Sequence, residues 1–264
     1  MSIKVRDIIK EMEKIAPPFL KESYDNVGLM VGDKDKEVQK VLLALDCTKK
    51  VIKEAESVNA DLIITHHPLL FRKPNRIVRD DLQGWKIIEL IKNDISLYSS
   101  HTNLDSVKDG INEEIVNVLG FKNSKIIEKS SVKGFEDSGI GRIVTLDEEM
   151  PVLELINIVK EKLNVKNLRV ALGKDTVKKI AIINGSGQDF FGIASSLGAD
   201  CIITGDTTYH FVSDYKEEGI TILDAGHFPT EWLVFLRVMT KLEERFPEIE
   251  FIHSEESEDP YTFV

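Results

Sequence analysis

Short apolar runs rich in β-branched residues alternate with amphipathic segments along the chain. Several runs are apolar throughout, which is typical of strands that are covered on both faces. The predicted strands are 26–32, 41–46, 62–66, 95–100, 141–146, 168–172, 179–184, 201–205 and 221–225. Apolar residues recur at helical spacing in the segments 81–94, 152–164 and 229–246. This alternation predicts an α/β fold with mostly parallel sheets flanked by helices.

Two segments of the first half resemble two segments of the second half, in the same order. The matches are ADLIITHH (60–67) with ADCIITGD (199–206), and ISLYSSHTNLD (95–105) with TILDAGHFPTE (221–231). Units of α/β structure also resemble one another by chance, but the ordered recurrence of two matches favours an internal duplication. We therefore predict two similar α/β domains, 1–128 and 129–264, divided at a segment rich in Gly, Ser and charge.

Composition narrows the classes of partner. The net charge of the 264 residues is −11, and Lys and Arg form no block of five, so the composition argues against nucleic acid as a partner. Residues 1–18 read as an amphipathic helix and not as a signal peptide, and no apolar stretch reaches the length of a membrane span. Cys47 and Cys201 lie in or beside apolar runs, as small hydrophobic residues do in a reducing compartment. The sequence predicts a cytoplasmic protein that does not enter membranes.

Candidate chemistry is concentrated at the ends of three predicted strands. Four of the six histidines lie there: His66 and His67 form a doublet, and His101 and His227 each begin a His-x-x-x-carboxylate segment. In parallel α/β sheets, ligands collect beyond the carboxyl ends of the strands. Clustered imidazoles and carboxylates without thiolates suit a divalent ion such as Zn, Mn, Fe, Co or Ni. Each segment alone is more often explained by solvated surface side chains, so the metal-site hypothesis rests on the occurrence of all three segments together.

The order of six motifs resembles the Nif-three-like family, whose members are also called GTP cyclohydrolase 1 type 2 homologs. The motifs are APPFLKESYDNVGLMVGD (16–33), IITHHPLLF (63–71), HTNLD (101–105), GSG (185–187), TGDTTYH (204–210) and GHFPTE (226–231). Tyr24 departs from the Trp that the family often has there, and the chain has no room for the domain inserted in longer members.

The resemblance implies a two-domain α/β protein with two divalent metal ions per chain, assembled as a homohexameric ring. It implies that one ion is held by His67, Asp105 and Glu231 and the other by His66 and His227, with Glu231 bridging. Two adjacent metals lower the pKa of a bridging water and favour hydrolysis. The expected activity is therefore metal-dependent hydrolysis of a small molecule, with a nucleotide or the ring of GTP as candidates.

Other residues keep two interpretations. His101 and His210 are candidate catalytic acids or bases, or else structural histidines. Asp206, which takes the place of His67 in the second repeat, is interpreted as supporting a ligand or facing substrate. The turn 185–187 either binds an anion through its backbone N–H groups or is only a tight turn.

The rival hypothesis for the whole chain is a non-enzymatic metal-binding scaffold or regulator that forms a ring. No base-reading or ribose-binding motif is recognisable in the sequence, and this favours the rival. Five protein ligands for two ions would leave positions for water, and this favours the hydrolase.

Overall fold

Every apolar run that predicts a strand overlaps a strand of the computed structural model, which describes residues 2–264. In chain order the strands are β1 (Gly28–Val31), β2 (Lys40–Ala44), β3 (Leu62–Thr65), β4 (Ser96–Ser99), β5 (Lys125–Lys129), β6 (Gly139–Pro151), β7 (Arg169–Ala171), β8 (Thr176–Ser186), β9 (Cys201–Gly205), β10 (Thr221–Asp224) and β11 (Glu250–His253). Strands β5 and β11 were not predicted, because both are short and have charged residues at their ends.

The helices occupy the amphipathic segments between the strands. They are α1 (Val5–Ile15), α2 (Lys49–Ser57), α3 (Leu82–Lys92), α4 (Thr102–Ser106), α5 (Ile111–Val118), α6 (Val152–Lys162), α7 (Phe191–Ser196), α8 (Tyr209–Glu217) and α9 (His227–Arg245). Local capping sets some of their starts. For example, Asp81 precedes α3 and accepts hydrogen bonds from the backbone N–H groups of Gln83 and Gly84.

The residues divide into two compact units. The first comprises the chain up to Leu104 together with Met239–Glu258, and the second comprises Asp105–Val238 with Asp259–Val264. These bounds differ from the predicted domains 1–128 and 129–264. The reason is that α5 and β5 pack with the second sheet, whereas β11, late in the chain, pairs with β2 in the first sheet.

The first unit contains a five-stranded sheet in the order β1-β4-β3-β2-β11. All its pairings are parallel except that of β1 with β4. Leu42, Ile63 and Leu97 of the central strands form a buried core with residues of α2 and α3, such as Ile52 and Leu90. The connections β2-α2-β3-α3-β4 therefore form the β-α-β units that the sequence predicts.

The second unit contains a six-stranded sheet in the order β5-β6-β8-β9-β10-β7. Only its central strands β8, β9 and β10 are parallel, so this sheet is mixed, with antiparallel strands at both edges. The loop 130–138 joins β5 to β6 without a helix, and a connection without a crossover pairs neighbouring strands antiparallel. Helices α7 and α8 cover one face of the parallel strands.

Four strands of each unit repeat one plan. The order β1-β4-β3-β2 in the first unit matches β7-β10-β9-β8 in the second, and the outermost pairing is antiparallel in both. The three remaining strands are parallel in both and follow one another in sequence. This shared topology confirms the duplication that the sequence predicts.

Both cysteines are buried and free. Burial raises the pKa of the Cys47 thiol to about 12 and also raises the pKa of Cys201. Neither is therefore a thiolate at neutral pH, as expected of small hydrophobic residues. Within residues 2–264, no helix combines the length and the apolar character that crossing a bilayer requires.

Candidate functional site

Three imidazoles come together at the strand ends of the first unit. β3 ends at Thr65, so the doublet His66-His67 follows it directly, and β4 ends at Ser99, two residues before His101. The ring centroids are 5.1 Å apart for His66 and His67, 5.2 Å for His66 and His101, and 5.5 Å for His67 and His101. One nitrogen of each ring lies within 4.8 Å of one nitrogen of each of the others, which is close enough for shared metal ligation.

The partners of the Nδ1 atoms fix the tautomer of these rings. Nδ1 of His66 lies 2.9 Å from the backbone oxygen of Ser100, and Nδ1 of His67 lies 2.9 Å from Oδ1 of Asp46. A carbonyl or a carboxylate oxygen only accepts hydrogen bonds, so Nδ1 donates in both rings. In the neutral rings Nε2 then carries the lone pair, which is the arrangement found in metal-ligating histidines.

His101 is held in the same way by the buried carboxylate of Asp25. Nδ1 of His101 lies 2.9 Å from Oδ1 of Asp25, and Thr102 donates its backbone N–H and its hydroxyl to Oδ2. Burial opposes ionisation of this carboxyl, but the hydrogen bond and charge of His101, with the bonds from Thr102 and Asn26, hold the pKa of Asp25 well below its usual range. Asp25 and His101 therefore form an ion-paired or strongly hydrogen-bonded dyad.

The loop that carries Asp25 also forms an aromatic and polar wall. Tyr24 contacts Phe71 edge-to-face at 6.2 Å, and Phe71 contacts His101 edge-to-face at the same distance. Asn26 donates from Nδ2 to the backbone oxygen of Leu70 at 2.8 Å. Asp25 and Asn26 thus do more than cap a turn, because they connect this loop to His101 and to the segment after the doublet.

In the second unit, one amide holds two buried carboxylates. Nδ2 of Asn184 donates to Oδ1 of Asp105 and to Oε1 of Glu231, both at 2.9 Å. Asn184 is itself buried near the end of β8, and its backbone N–H donates to Oδ1 of Asn112, whose amide donates to the backbone oxygen of Asp105. These bonds fix the direction of both carboxylates.

His227 and Glu231 lie together on the first turn of α9, as their i, i+4 spacing predicts. Nε2 of His227 lies 3.0 Å from Oε2 of Glu231, while Nδ1 lies 2.7 Å from Oδ2 of Asp206. Two ligand atoms at about 2.0 to 2.1 Å from one tetrahedral ion lie about 3.3 Å apart, so this spacing suits a shared cation. Asp206 supports a candidate ligand, which is one of the roles that the sequence suggests for it.

Gly185 leaves the space that the Glu231 carboxylate occupies. Its φ is +54°, and a Cβ at this position would lie 2.3 Å from Oε1 of Glu231 and 3.2 Å from Nε2 of His227. The backbone N–H of Gly185 donates to Oγ1 of Thr230, and that of Gly187 donates to Oγ1 of Thr204. Since both N–H groups are bonded within the protein, the turn 185–187 is better explained as a tight turn that admits a carboxylate than as an anion-binding loop.

His210 is exposed near the start of α8, where its ring contacts Tyr209 edge-to-face at 5.4 Å. No motif in the sequence assigns a role to Asn184 or Asp46, although each is the last residue of a predicted strand. An Asn immediately before the Gly-Ser-Gly turn was the available signal for Asn184. Asp46 lies two residues after the end of strand β2, at the edge of the sheet where the other candidate residues of the first unit lie.

The comparisons with known proteins agree with these features. The family model for Duf34/NIF3 (NGG1p interacting factor 3) matches residues 3–260. A protein of Clostridium perfringens named GTP cyclohydrolase 1 type 2 homolog is 60% identical, over 99% of this chain and 100% of its own. The crystal structure of a Bacillus cereus protein related to NIF3 has a TM-score of 0.92 at 25% identity and covers 100% of both chains. Reduced HcgD from Methanocaldococcus jannaschii has a TM-score of 0.83 at 32% identity, covering 97% of this chain and 99% of its own. The chain belongs to the Duf34/NIF3 family.

Proposed function

We propose that the chain is a metal-dependent hydrolase of a small molecule that holds two divalent ions. The proposed ligands are His66, His67, Asp105, His227 and Glu231, with Glu231 shared, as the resemblance to the family implies. The observation that carries the proposal is the orientation of the imidazoles. His66, His67 and His227 each donate from Nδ1 to a carbonyl or carboxylate oxygen, which leaves Nε2 as the ligand atom.

The donor atoms of each unit suit such ions. The first unit supplies neutral imidazole nitrogens, and the second supplies an imidazole with the buried carboxylates of Asp105 and Glu231. Two buried carboxylates that share one amide donor repel each other, so a cation would relieve a substantial electrostatic cost. Nitrogen and carboxylate donors without thiolate favour Zn, Mn, Fe, Co or Ni.

Such ions, when bound, would supply an activated water and polarise the electrophile. The residues of the chain would place and protonate the reactants. Asn184 would keep one oxygen of Asp105 and one of Glu231 occupied, so the second oxygen of each would be left for a metal ion. The Asp25–His101 dyad would hold a proton at Nδ1 and exchange one at Nε2, which gives His101 the role of general acid or base. His210 remains a weaker candidate for that role.

The substrate class rests on the relatives. The Clostridium perfringens protein is named a GTP cyclohydrolase 1 type 2 homolog, which supports a nucleotide or its purine ring as the substrate. A homohexameric ring in the cytoplasm is the assembly and location that we propose with it.

A metal-binding scaffold without catalysis is the second candidate. The turn at Gly185 and Gly187 bonds its N–H groups within the protein, so it offers no phosphate cradle of the kind that nucleotide-binding enzymes use. This observation favours a partner-binding or regulatory role over nucleotide chemistry.

Metal content and turnover in matched variants test the proposal. Elemental analysis of protein purified mildly, and again after loading with Mn or Zn, should give about two ions per chain. The loaded protein is then screened against phosphoesters, nucleotides and cyclic amides.

Glu231→Gln keeps the volume of the side chain but removes its charge. It should therefore weaken the binding of both ions and lower any turnover about a hundredfold or more. Asp105→Asn should weaken the binding of only one of the two ions.

Circular dichroism of both variants should be that of the wild type. A metal content near zero under both conditions contradicts the metal site. Two outcomes would favour the non-catalytic scaffold over the hydrolase. One is full turnover in Glu231→Gln at reduced metal content, and the other is no turnover on the whole panel with two ions bound.

A further inference from the structure

A concave surface lies wholly within the second unit, between the edge strand β7 and helix α8. Its cavity volume is about 340 Å³, which is in the range of small-molecule sites, about 300 to 1,000 Å³. Val170, Ala171, Val212 and Ile222 supply an apolar lining. The five candidate metal ligands are not among the lining residues.

One face of α8 contributes both aromatic and cationic groups to this cavity. Tyr209, Val212, Ser213 and Lys216 all line it, and their spacing of three, four and seven residues places them on one side of the helix. Tyr209 is 80% exposed, so its ring has a face available to a ligand. Lys216, in the last turn of α8, is also exposed.

The opposite wall carries an arginine that a buried carboxylate holds in place. Nη2 of Arg169 donates to Oδ2 of Asp224, which is 3% exposed, and to the backbone oxygen of Thr207 at 3.2 Å. The backbone N–H and the hydroxyl of Thr207 donate to the same Oδ2, at 3.1 and 2.6 Å. Both bonds of Arg169 use one terminal nitrogen, so the rest of the guanidinium remains available for a ligand.

The charges of the cavity are opposite in sign to the charge of the chain. Arg169 and Lys216 are cationic, Asp224 is the one carboxylate among the lining residues, and the chain as a whole carries −11. Asp224 is occupied by Arg169, by Thr207 and, at Oδ1, by the backbone N–H of Gly226. An anionic group of a ligand can therefore contact Lys216 and the outer nitrogens of Arg169, because Asp224 does not compete for them. An aromatic ring of the ligand can pack against Tyr209 and the apolar lining.

We propose that this cavity binds a small molecule in which one phosphate or carboxylate group is attached to a flat apolar ring. The anion lies between Lys216 and Arg169, and the ring lies against Tyr209. The site is separate from the proposed metal ligands and does not depend on their occupancy. It gives the protein a second ligand site in the unit that carries Asp105, Asn184 and Glu231.

Phenylphosphonate combines both parts of this ligand and is not hydrolysed. Its binding to the full-length protein is followed by ligand-detected NMR titration, beside inorganic phosphate and phenol, which each carry one part. We expect phenylphosphonate to bind at least tenfold more tightly than either. Lys216→Gln should weaken it about fivefold by removing one charge. Tyr209→Ala should weaken it about fivefold by removing the ring, and Tyr209→Phe should bind as the wild type does.

Arg169 is left unchanged in this test, because its removal would leave Asp224 buried without its ion pair. Glu231→Gln serves as the control that separates this site from the metal ligands, and it should bind phenylphosphonate as the wild type does. Binding that is lost in Glu231→Gln and kept in Lys216→Gln and Tyr209→Ala would assign the ligand to the metal residues and overturn the proposal. The absence of saturable binding, or equal binding by all variants, would also overturn it.

Discussion

The two four-stranded repeats have the same strand order and directions but different chemistry at their strand ends. In the first repeat, His67 is a ligand-type imidazole and His101 is held by Asp25, which lies outside the aligned segments. In the second repeat, Asp206 stands at the position of His67, and its carboxylate holds His227, the counterpart of His101. One position therefore supplies a ligand-type nitrogen in one copy and orients a neighbouring imidazole in the other.

The repeats also differ in the charge that they bury. The first places three imidazoles together, whereas the second places the carboxylates of Asp105 and Glu231 around one amide of Asn184. A neutral imidazole needs no counter-charge, but two buried carboxylates do. Substitutions in the second unit should therefore change metal retention more than comparable substitutions in the first, and the following predictions test that difference.

The largest effect is expected at Gly185. In Gly185→Ala the new methyl group would displace the Glu231 carboxylate, which it would approach to 2.3 Å. We expect metal retention to fall about a hundredfold, a large effect for a residue that only supports a ligand. Competition with a chromogenic chelator measures it.

Gly198→Ala is the matched control for that prediction. Gly198 also has a positive φ, +81°, but a Cβ there would meet no atom closer than Nζ of Lys179, at an ordinary contact distance of 3.5 Å. It should lose about 1 kcal/mol of unfolding free energy from backbone strain and retain metal normally. Equal metal retention in the two variants would contradict the close fit of Glu231 against Gly185.

The next effect is expected at Asn184. In Asn184→Leu the size is kept, but both carboxylates lose their shared donor, so metal retention should fall about ten- to a hundredfold. Asn184→Asp adds a third negative charge, which should lower the stability of the metal-free protein further than Leu does. Thermal unfolding with and without added metal distinguishes the two variants. A metal-free Asn184→Asp as stable as Asn184→Leu would show that the two carboxylates are not crowded there.

A smaller effect is expected at the carboxylates that orient imidazoles, one in each unit. Asp206→Asn and Asp46→Asn each weaken the bond at Nδ1 of a candidate ligand, His227 and His67 respectively. Both carboxylates are about half exposed, so metal retention should fall about tenfold at most. We expect the larger fall in Asp206→Asn, since its bond is shorter, 2.7 Å against 2.9 Å. A larger fall in Asp46→Asn would reverse the ranking of the two units.

The smallest effect is expected for Asp25→Asn, and it concerns how the free energy of unfolding depends on pH. Its pKa is lowered in the folded state, so its charge stabilises the fold above the pKa of the unfolded chain. The stability advantage of the wild type over Asp25→Asn should be constant at neutral pH and should shrink as the pH falls below about 4. Denaturant unfolding at several pH values measures it. An advantage that persists unchanged to lower pH would mean that the neutral hydrogen bonds of Asp25, and not its charge, stabilise the loop.

Much of this molecule is determined by local sequence. The apolar runs of four to six residues specify the central strands, because a strand covered on both faces needs apolar side chains at every position. The His-x-x-x-Glu spacing of His227 and Glu231 places both side chains on one face of α9, because a helix repeats every 3.6 residues. The two matched segments indicate the duplication, because both copies need the same strand and helix periods.

Only the tertiary structure decided which residues support the candidate ligands. Asn184 meets Asp105 across 79 positions of the chain, and Asp25 meets His101 across 76. Such pairs have no local period, since they depend on which strands become neighbours in the sheet. The same reason explains the unit bounds, because β11 joins the first sheet by pairing with the distant strand β2, and no local pattern in residues 250–253 predicts that partner. The sequence by itself determined the central strands, the main helices and the residues proposed as ligands, and the packing of strands that are distant in sequence determined how those residues are held.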